Sequence, residues 1–397
     1  MKSNFDSFKP HFKYLVLTGT YKMMDKPTSK MKETLYACYR IFVSVTFFIF
    51  LSQHVIRLIR NNVEEVINTL YVFLTLLNSV CKLFILNIRS ARIQHIVEVI
   101  KGPVFAARNK YQEELVLRNA ASMLRVLRID VFGSMFCSAL WMIFPLMIRL
   151  SGQEVRFSMY FPFETEKFSV FISVVIYVGL IVHWVSLFTL SIDCLVVSMY
   201  MQAQLQLQLL RDNLTHIADV KNDDGNDKLA VKMYRDVENI RFKNLFYRRL
   251  IMCKKRHELI VWLVEEIESI FGTPMVLQML VMAWIICMTI YKIAAIDILS
   301  VEFLAMVVYL GCILFQLFIY CYFGTQLKNE SEFVNQSIYE SDWPAVSPRL
   351  RRPLLIMMER CYRPIAPCIA YIVPMSLDTF ISVVKFSYSL YTFLDRK

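Results

Sequence analysis

Chemistry needs particular side chains at particular spacings, and this chain offers few. The six histidines, at 11, 54, 95, 183, 216 and 257, are scattered. No G-x-x-x-x-G-K-[ST] loop, H-E-x-x-H helix or C-x-x-C pair is present, so phosphate cradling, metal-assisted hydrolysis and dithiol redox chemistry lack their residues. The pattern argues against an enzyme and implies no cofactor and no metal. What remains are ionisable groups inside apolar stretches, where a charge is costly enough to count as functional by default: Lys82, Asp193, Asp378 and Lys385. Lys82 lies near the end of its stretch and is expected to snorkel toward water. Asp193 is expected at a membrane exit. Asp378 and Lys385 share one helical face about 10.5 Å apart, too far for a direct pair, which leaves pore lining and pairing with other helices as equal alternatives. His183, beside Trp184, reads as packing or a local hydrogen bond, with ligand contact as the alternative.

The stretches that hold these groups set the fold class. Apolar residues make up 56% of the chain and charged residues 19%, with mean hydropathy +0.45. Apolar blocks at about Tyr36–Ile56, Val66–Ile88, Ile129–Ile148, Phe168–Met201, Ile267–Ile290, Ile298–Gly324 and Ile365–Leu394 each have the length a helix needs to cross hydrocarbon. Seven transmembrane helices are expected. Met1–Lys32 has no apolar signal core, so the first span is expected to direct insertion. Soluble enzyme, nucleic-acid binder and disordered scaffold are all excluded by this composition, and the +11 charge sits almost entirely between the blocks.

Where the charge sits sets an orientation. Of the 44 lysines and arginines, 34 fall in the N-terminal region and the 2–3, 4–5 and 6–7 connections, against 8 on the other side. By the positive-inside rule the N-terminus is cytoplasmic and the C-terminus extracellular, the inverse of a G-protein-coupled receptor. The sequons at Asn213, Asn329 and Asn335 all fall in predicted cytoplasmic segments, and none of the ten cysteines lies in an external loop.

The cytoplasmic connections are long and helical in pattern. Lys228–Phe271 contains no proline or glycine; a helix of that length reaches about 66 Å, roughly twice the hydrocarbon thickness. The Gln-Leu alternation after Met201 looks strand-like but is expected to continue span four as helix, because both residues are good helix formers. The expected fold is therefore an all-α integral membrane protein whose cytoplasmic helical extensions form an anchor bundle. It divides into a cytoplasmic N-terminal segment (1–35), helices 1–4 (36–201), an anchor segment (202–266), helices 5–6 (267–325), a second anchor segment (326–364) and a last transmembrane helix (365–397). No internal repeat of the transporter kind is visible.

The external halves of the spans carry uncharged lining candidates: Tyr71, Leu74, Thr75, Phe136, Ala139, Leu140, Ile143, Phe171, Val174, Val178, Met282, Ile285, Thr289 and Phe303. A cavity among them suits a small, neutral, mostly apolar ligand oriented by a few hydroxyls; the alternative is ordinary helix packing.

The C-terminal quarter is specific. Cys321-Tyr-Phe-Gly324, Ser331 with Val334, Ile338-Tyr-Glu-Ser-Asp-Trp-Pro344, Pro353-Leu-Leu-Ile-Met-Met358, Arg363-Pro364, Ser376-Leu-Asp-Thr-Phe380 and Lys385-Phe-Ser-Tyr-Ser-Leu-Tyr-Thr-Phe-Leu394 together resemble the C-terminal signature of insect odorant receptors. The short 4–5 connection resembles a ligand-selective tuning subunit rather than the longer co-receptor. The resemblance implies an odorant-gated, cation-permeable channel subunit that binds small volatile organic ligands. It also implies a heterotetramer with the co-receptor, contact with membrane lipid and permeant cations but not nucleic acid, and a place in the plasma membrane of olfactory neuron dendrites. Carried onto this chain, it puts a gate at Leu390, Phe393, Leu394 and Lys397, with Phe393 bulkier than the small aliphatic residue expected there. The close rivals are a gustatory-receptor-like channel and a metabotropic seven-helix receptor.

Overall fold

The computed structural model describes residues 7–22, 30–60, 63–150, 152, 155, 157, 159–163, 167–219, 240–296, 300–369 and 373–395. They fold as ten α-helices: α1 (Lys9–Leu17), α2 (Lys30–Arg60), α3 (Val63–Ile88), α4 (Ser90–Lys101), α5 (Lys110–Leu150), α6 (Phe168–Thr215), α7 (Ile240–Ala295), α8 (Val301–Tyr339), α9 (Pro348–Cys361) and α10 (Leu377–Asp395). A minimal antiparallel hairpin, β1 (Cys368–Ile369) with β2 (Val373–Pro374), precedes α10. Among the described residues, five helices are long and apolar enough to cross a membrane: α2, α5, α6 and the greater parts of α7 and α8. Helix α3 joins them only as a pair with α4, bent by 66°.

The bend has a local cause. Ile93, Ile96, Val97 and Ile100 bury one face of α4, the helical spacing of an amphipathic stripe. Arg92 pins that helix to α7 through a bidentate ion pair with Glu266, at 2.5 and 2.7 Å.

Helix α6 is the axis of the molecule. From Ser191 to Leu214 nearly every side chain is buried, the signature of a helix surrounded on all sides. The Gln-Leu stretch is helical throughout: Leu205, Leu207, Leu209 and Leu210 enter the main core, or the small one beside α5, while Gln206 donates to the Phe105 carbonyl and Gln208 to Glu330. The core continues through α1, α4, α7, α8 and α9 at the inner end, the end that carries Thr215, Ile240 and Tyr339. Helix α1, within the segment expected to be a plain cytoplasmic lead, buries His11, Phe12 and Leu15 against α6.

The apolar block Ile365–Leu394 is not one helix, which corrects the 365–397 boundary. Pro364, Pro367 and Pro374 lack the N–H a helix interior needs, so the chain makes the hairpin and the helix starts at Leu377. Signature residues, with Thr325 and Glu268 beside them, hold that junction. Ser331 accepts the Ile365 N–H at 2.8 Å, Thr325 accepts that of Leu377 at 3.0 Å, Glu268 accepts that of Cys368 at 2.7 Å, and Ser376 caps α10 through Thr379. Gly324 lets Met375 approach: a Cβ there would lie 2.2 Å from the Met375 carbonyl oxygen. Helix α10 then packs through Leu377, Phe380 and Val383 on Met282 and Ile286 of α7 and on Leu317 and Cys321 of α8. Its 19 residues reach about 28 Å, a span length, yet Asp378, Ser382, Lys385 and Ser389 are exposed along it.

Candidate ligand cavities

Two cavities open within the helix bundle, and they share Tyr309. The outer one, about 290 Å³, lies among α2, α3, α5, α6 and α8, with Lys292 from the end of α7 also in its wall. Trp141, Phe144, Pro145 and Ile148 of α5 wall it, together with Val175, Val178 and Val182 of α6 and Met306 and Tyr309 of α8. These positions recur at three- and four-residue steps, so each helix presents one face to the space. Val155, Phe157 and Met159, from the connection between α5 and α6, complete the wall. That connection is tied down: the Tyr160 N–H donates to the Gln53 carbonyl at 3.2 Å, the Arg60 guanidinium lies 4.5 Å over the Tyr160 ring, and Phe157 packs against Phe161 and Phe171. Such a wall binds by dispersion and desolvation; a small apolar or aromatic molecule suits its size and chemistry.

The inner cavity, about 620 Å³, lies between α3, α5, α6 and α8. Its wall mixes Phe132, Val308, Ile313 and Phe315 with Thr75, Asp130, Ser134, Thr189 and Gln316. Cys137 of α5 and Cys312 of α8 meet there, with sulfurs 3.1 Å apart.

Beside it lies a buried polar hub. Lys82 is not a snorkelling residue: its ammonium lies 2.5 Å from Asp193, and both side chains are only 3% exposed. Asp193 is buried, which would be prohibitive without partners, and four side chains from three other helices satisfy it. Lys82 and Tyr320 donate to one carboxylate oxygen, at 2.5 and 2.7 Å, while Gln278 (3.1 Å) and Gln316 donate to the other. The next residue, Cys194, donates to Asp130 at 2.7 Å. His183 makes a local hydrogen bond, Nδ1 to Ser138 at 2.7 Å.

A family model described as 7tm Odorant receptor matches residues 62–388. The chain belongs to the insect odorant receptor family. Odorant receptor 46a of Drosophila melanogaster is 22% identical over 365 residues in isoform B, covering 89% of each chain. Isoform A of the same receptor is 22% identical over 396 residues, 98% of this chain and 97% of its own. The odorant receptor coreceptor of Aedes aegypti is 31% identical over 130 residues, 33% of this chain and 27% of its own. The solved structure of the olfactory receptor OR5 from Machilis hrabei, in complex with eugenol, matches with TM-score 0.82 at 16% identity over 98% of both chains. The fold is therefore that of an insect olfactory receptor.

Of the expected lining residues, the receptor brings Leu140 and Val178 to the outer cavity and Thr75 to the inner one. Phe136, Ala139 and Ile143 lie on the outward face of α5, exposed. Phe171 and Val174 are buried behind the wall, Phe171 under the Arg149 guanidinium at 4.6 Å. Met282 packs toward α10, Ile285 is buried in α7, and Thr289 donates to the Ile285 carbonyl. Leu74 and Phe303 are half-buried and border neither cavity, and the side chain of Tyr71 lies outside the described residues. Trp141, Phe144, Met306 and Tyr309 were missed; heptad counting along α5 and α8 would have put them on one face, but only the packing angle says which face looks inward. Of the gate residues, Leu390 is half-buried, while Lys397 and the side chains of Phe393 and Leu394 lie outside the described residues.

Proposed function

We propose that this receptor is the odorant-binding subunit of a ligand-gated, cation-permeable channel that works as a heterotetramer with the odorant co-receptor in the plasma membrane of olfactory neuron dendrites. The observation that carries the reading is the outer cavity: a partly open, mainly aromatic and aliphatic space of about 290 Å³ with His54 and Lys292 in its wall, the size and chemistry for one small volatile molecule. Further support comes from α10, a helix of span length with an exposed polar row, which suits a pore wall better than a lipid face. In this reading the inner ends of α6 to α9 form the anchor, the N-terminus is cytoplasmic, and Leu390, Phe393 and Leu394 form a hydrophobic constriction with Lys397 at its mouth.

The test is current recorded from cells expressing the chain with and without a co-receptor, across a panel of volatile compounds. Agonist-evoked cation current that needs the co-receptor, and whose permeability changes with substitutions at Leu390 or Phe393, supports the reading. Current whose reversal potential and unitary conductance ignore those substitutions removes α10 from the pore, and silence to the whole panel removes the odorant.

A further inference from the structure

We propose that the inner cavity is a binding site for a protonated primary amine with a small apolar body, held by Asp130 and Ser134. This goes beyond the outer-cavity reading, which needs only a neutral molecule.

Asp130 is a buried carboxylate with no ion-pair partner among the described residues. It is 9% exposed and borders the inner cavity. Its hydrogen bond comes from the Cys194 thiol, a weak donor. The nearest buried cation, Lys82, is committed to Asp193. Arg128 also borders the cavity, but it is exposed and makes no ion pair with Asp130 within 4.0 Å. A carboxylate in low dielectric without a cation partner is costly, and a ligand cation removes that cost.

A second observation points to the same place. Ser134 stands one helical turn from Asp130, about 6 Å along the axis of α5 and on the same face. It also borders the cavity, is 6% exposed, and its hydroxyl has no hydrogen-bond partner. Gln316 adds an amide oxygen, since its nitrogen is given to Asp193. Carboxylate, hydroxyl and amide oxygen together form the acceptor set that the three N–H bonds of an ammonium require. Phe315 and Phe132 supply aromatic surface for the cation and its apolar body. A neutral alcohol could satisfy only part of this set, and a carboxylic acid would be repelled.

The test uses the full-length chain, purified from expressing cells into lipid nanodiscs, with thermal unfolding as the readout, since a ligand that binds the folded state raises the midpoint. Hexylamine hydrochloride, hexan-1-ol and sodium chloride are titrated separately. Hexylamine is expected to act at concentrations about ten- to a hundredfold below hexan-1-ol, the range of one hydrogen bond to a charged group. Asp130→Asn, which keeps the shape and an acceptor for Cys194, should erase the difference, and Ser134→Ala should narrow it. Equal potency of amine and alcohol in the unaltered chain overturns the proposal, as does an amine advantage that survives Asp130→Asn, or sodium ion matching hexylamine. Failure to open to any volatile would remove the odorant reading and leave this binding comparison standing.

Discussion

Asp193→Asn tests the buried hub most sharply, because it keeps the shape of the side chain while removing its charge and one of its two acceptor oxygens. The Lys82 ammonium would then lie 3% exposed with no anion, 2.5 Å from a neutral amide that no longer balances it. Breaking one partner out of a buried ion pair costs about 3–5 kcal/mol. Asparagine also turns one of the two acceptor oxygens into an N–H2 donor, so either Tyr320 or the pair Gln278 and Gln316 loses its acceptor, a loss that overlaps with this figure rather than adding to it. At about 1.4 kcal/mol per tenfold, the folded population relative to unfolded should fall by about two to three and a half orders of magnitude. The measurement is the thermal midpoint of the purified chain in nanodiscs, together with the surface-expressed fraction in cells. A double variant, Lys82→Met with Asp193→Asn, removes the stranded ammonium and should recover much of the loss, since uncharged replacements of buried pairs are often tolerated. If Asp193→Asn melts within about 0.5 kcal/mol of the unaltered chain, or if the double variant loses the sum of the two single changes, the pair is not the buried, mutually dependent charge described above.

Other consequences are simpler. Trp141→Ala or Tyr309→Ala should shift neutral-odorant sensitivity by about ten- to two-hundredfold, the value of a contact worth about 1–3 kcal/mol, whereas Phe136→Ala and Ile143→Ala, on the outward face, should leave the dose–response midpoint in place. Gly324→Ala pushes a methyl into the Met375 carbonyl, a backbone atom that cannot swing aside, and should cost about 1–3 kcal/mol by thermal melting. His11 accepts or donates at Nε2 to Ser198 at 2.8 Å, and burial pushes its imidazole down to about 4 against a weaker upward pull from the Ser7 backbone. Because the folded value lies below the unfolded 6.5, its stability contribution is complete above pH 6.5 and is lost as pH falls toward 4. Between pH 7 and pH 5 the loss should be about 2 kcal/mol, and His11→Gln should flatten that slope.

The sequence carried the fold class because crossing hydrocarbon is a one-dimensional constraint: twenty apolar residues announce a helix whatever surrounds them. The same reasoning found α6 running straight through its Gln-Leu alternation, since propensity and continuity agreed there. It failed where a residue's role depends on its neighbours in space. Lys82 and Asp193 are 111 positions apart, and nothing local distinguishes a lysine that snorkels from one that meets a carboxylate on another helix. Most of the expected lining residues stand away from the two cavities for a related reason. Along α5, Phe136, Ala139, Leu140 and Ile143 are apolar like Trp141 and Phe144, because one face meets the bundle and the other has no reason to be polar. In water the outward face would be charged and the inward face legible; in a membrane both are apolar, so periodicity loses the contrast on which it depends. The last helix was over-extended because the apolar content of Ile365–Leu394 outweighed its prolines. Gly324, Ser331 and Ser376 had already marked the junction in the sequence, yet their meaning appears only when the hairpin backbone is seen to borrow its hydrogen bonds from α7 and α8. A part-buried junction cannot leave its N–H groups unsatisfied, and a serine, a threonine and a glutamate on neighbouring helices accept those of Ile365, Leu377 and Cys368.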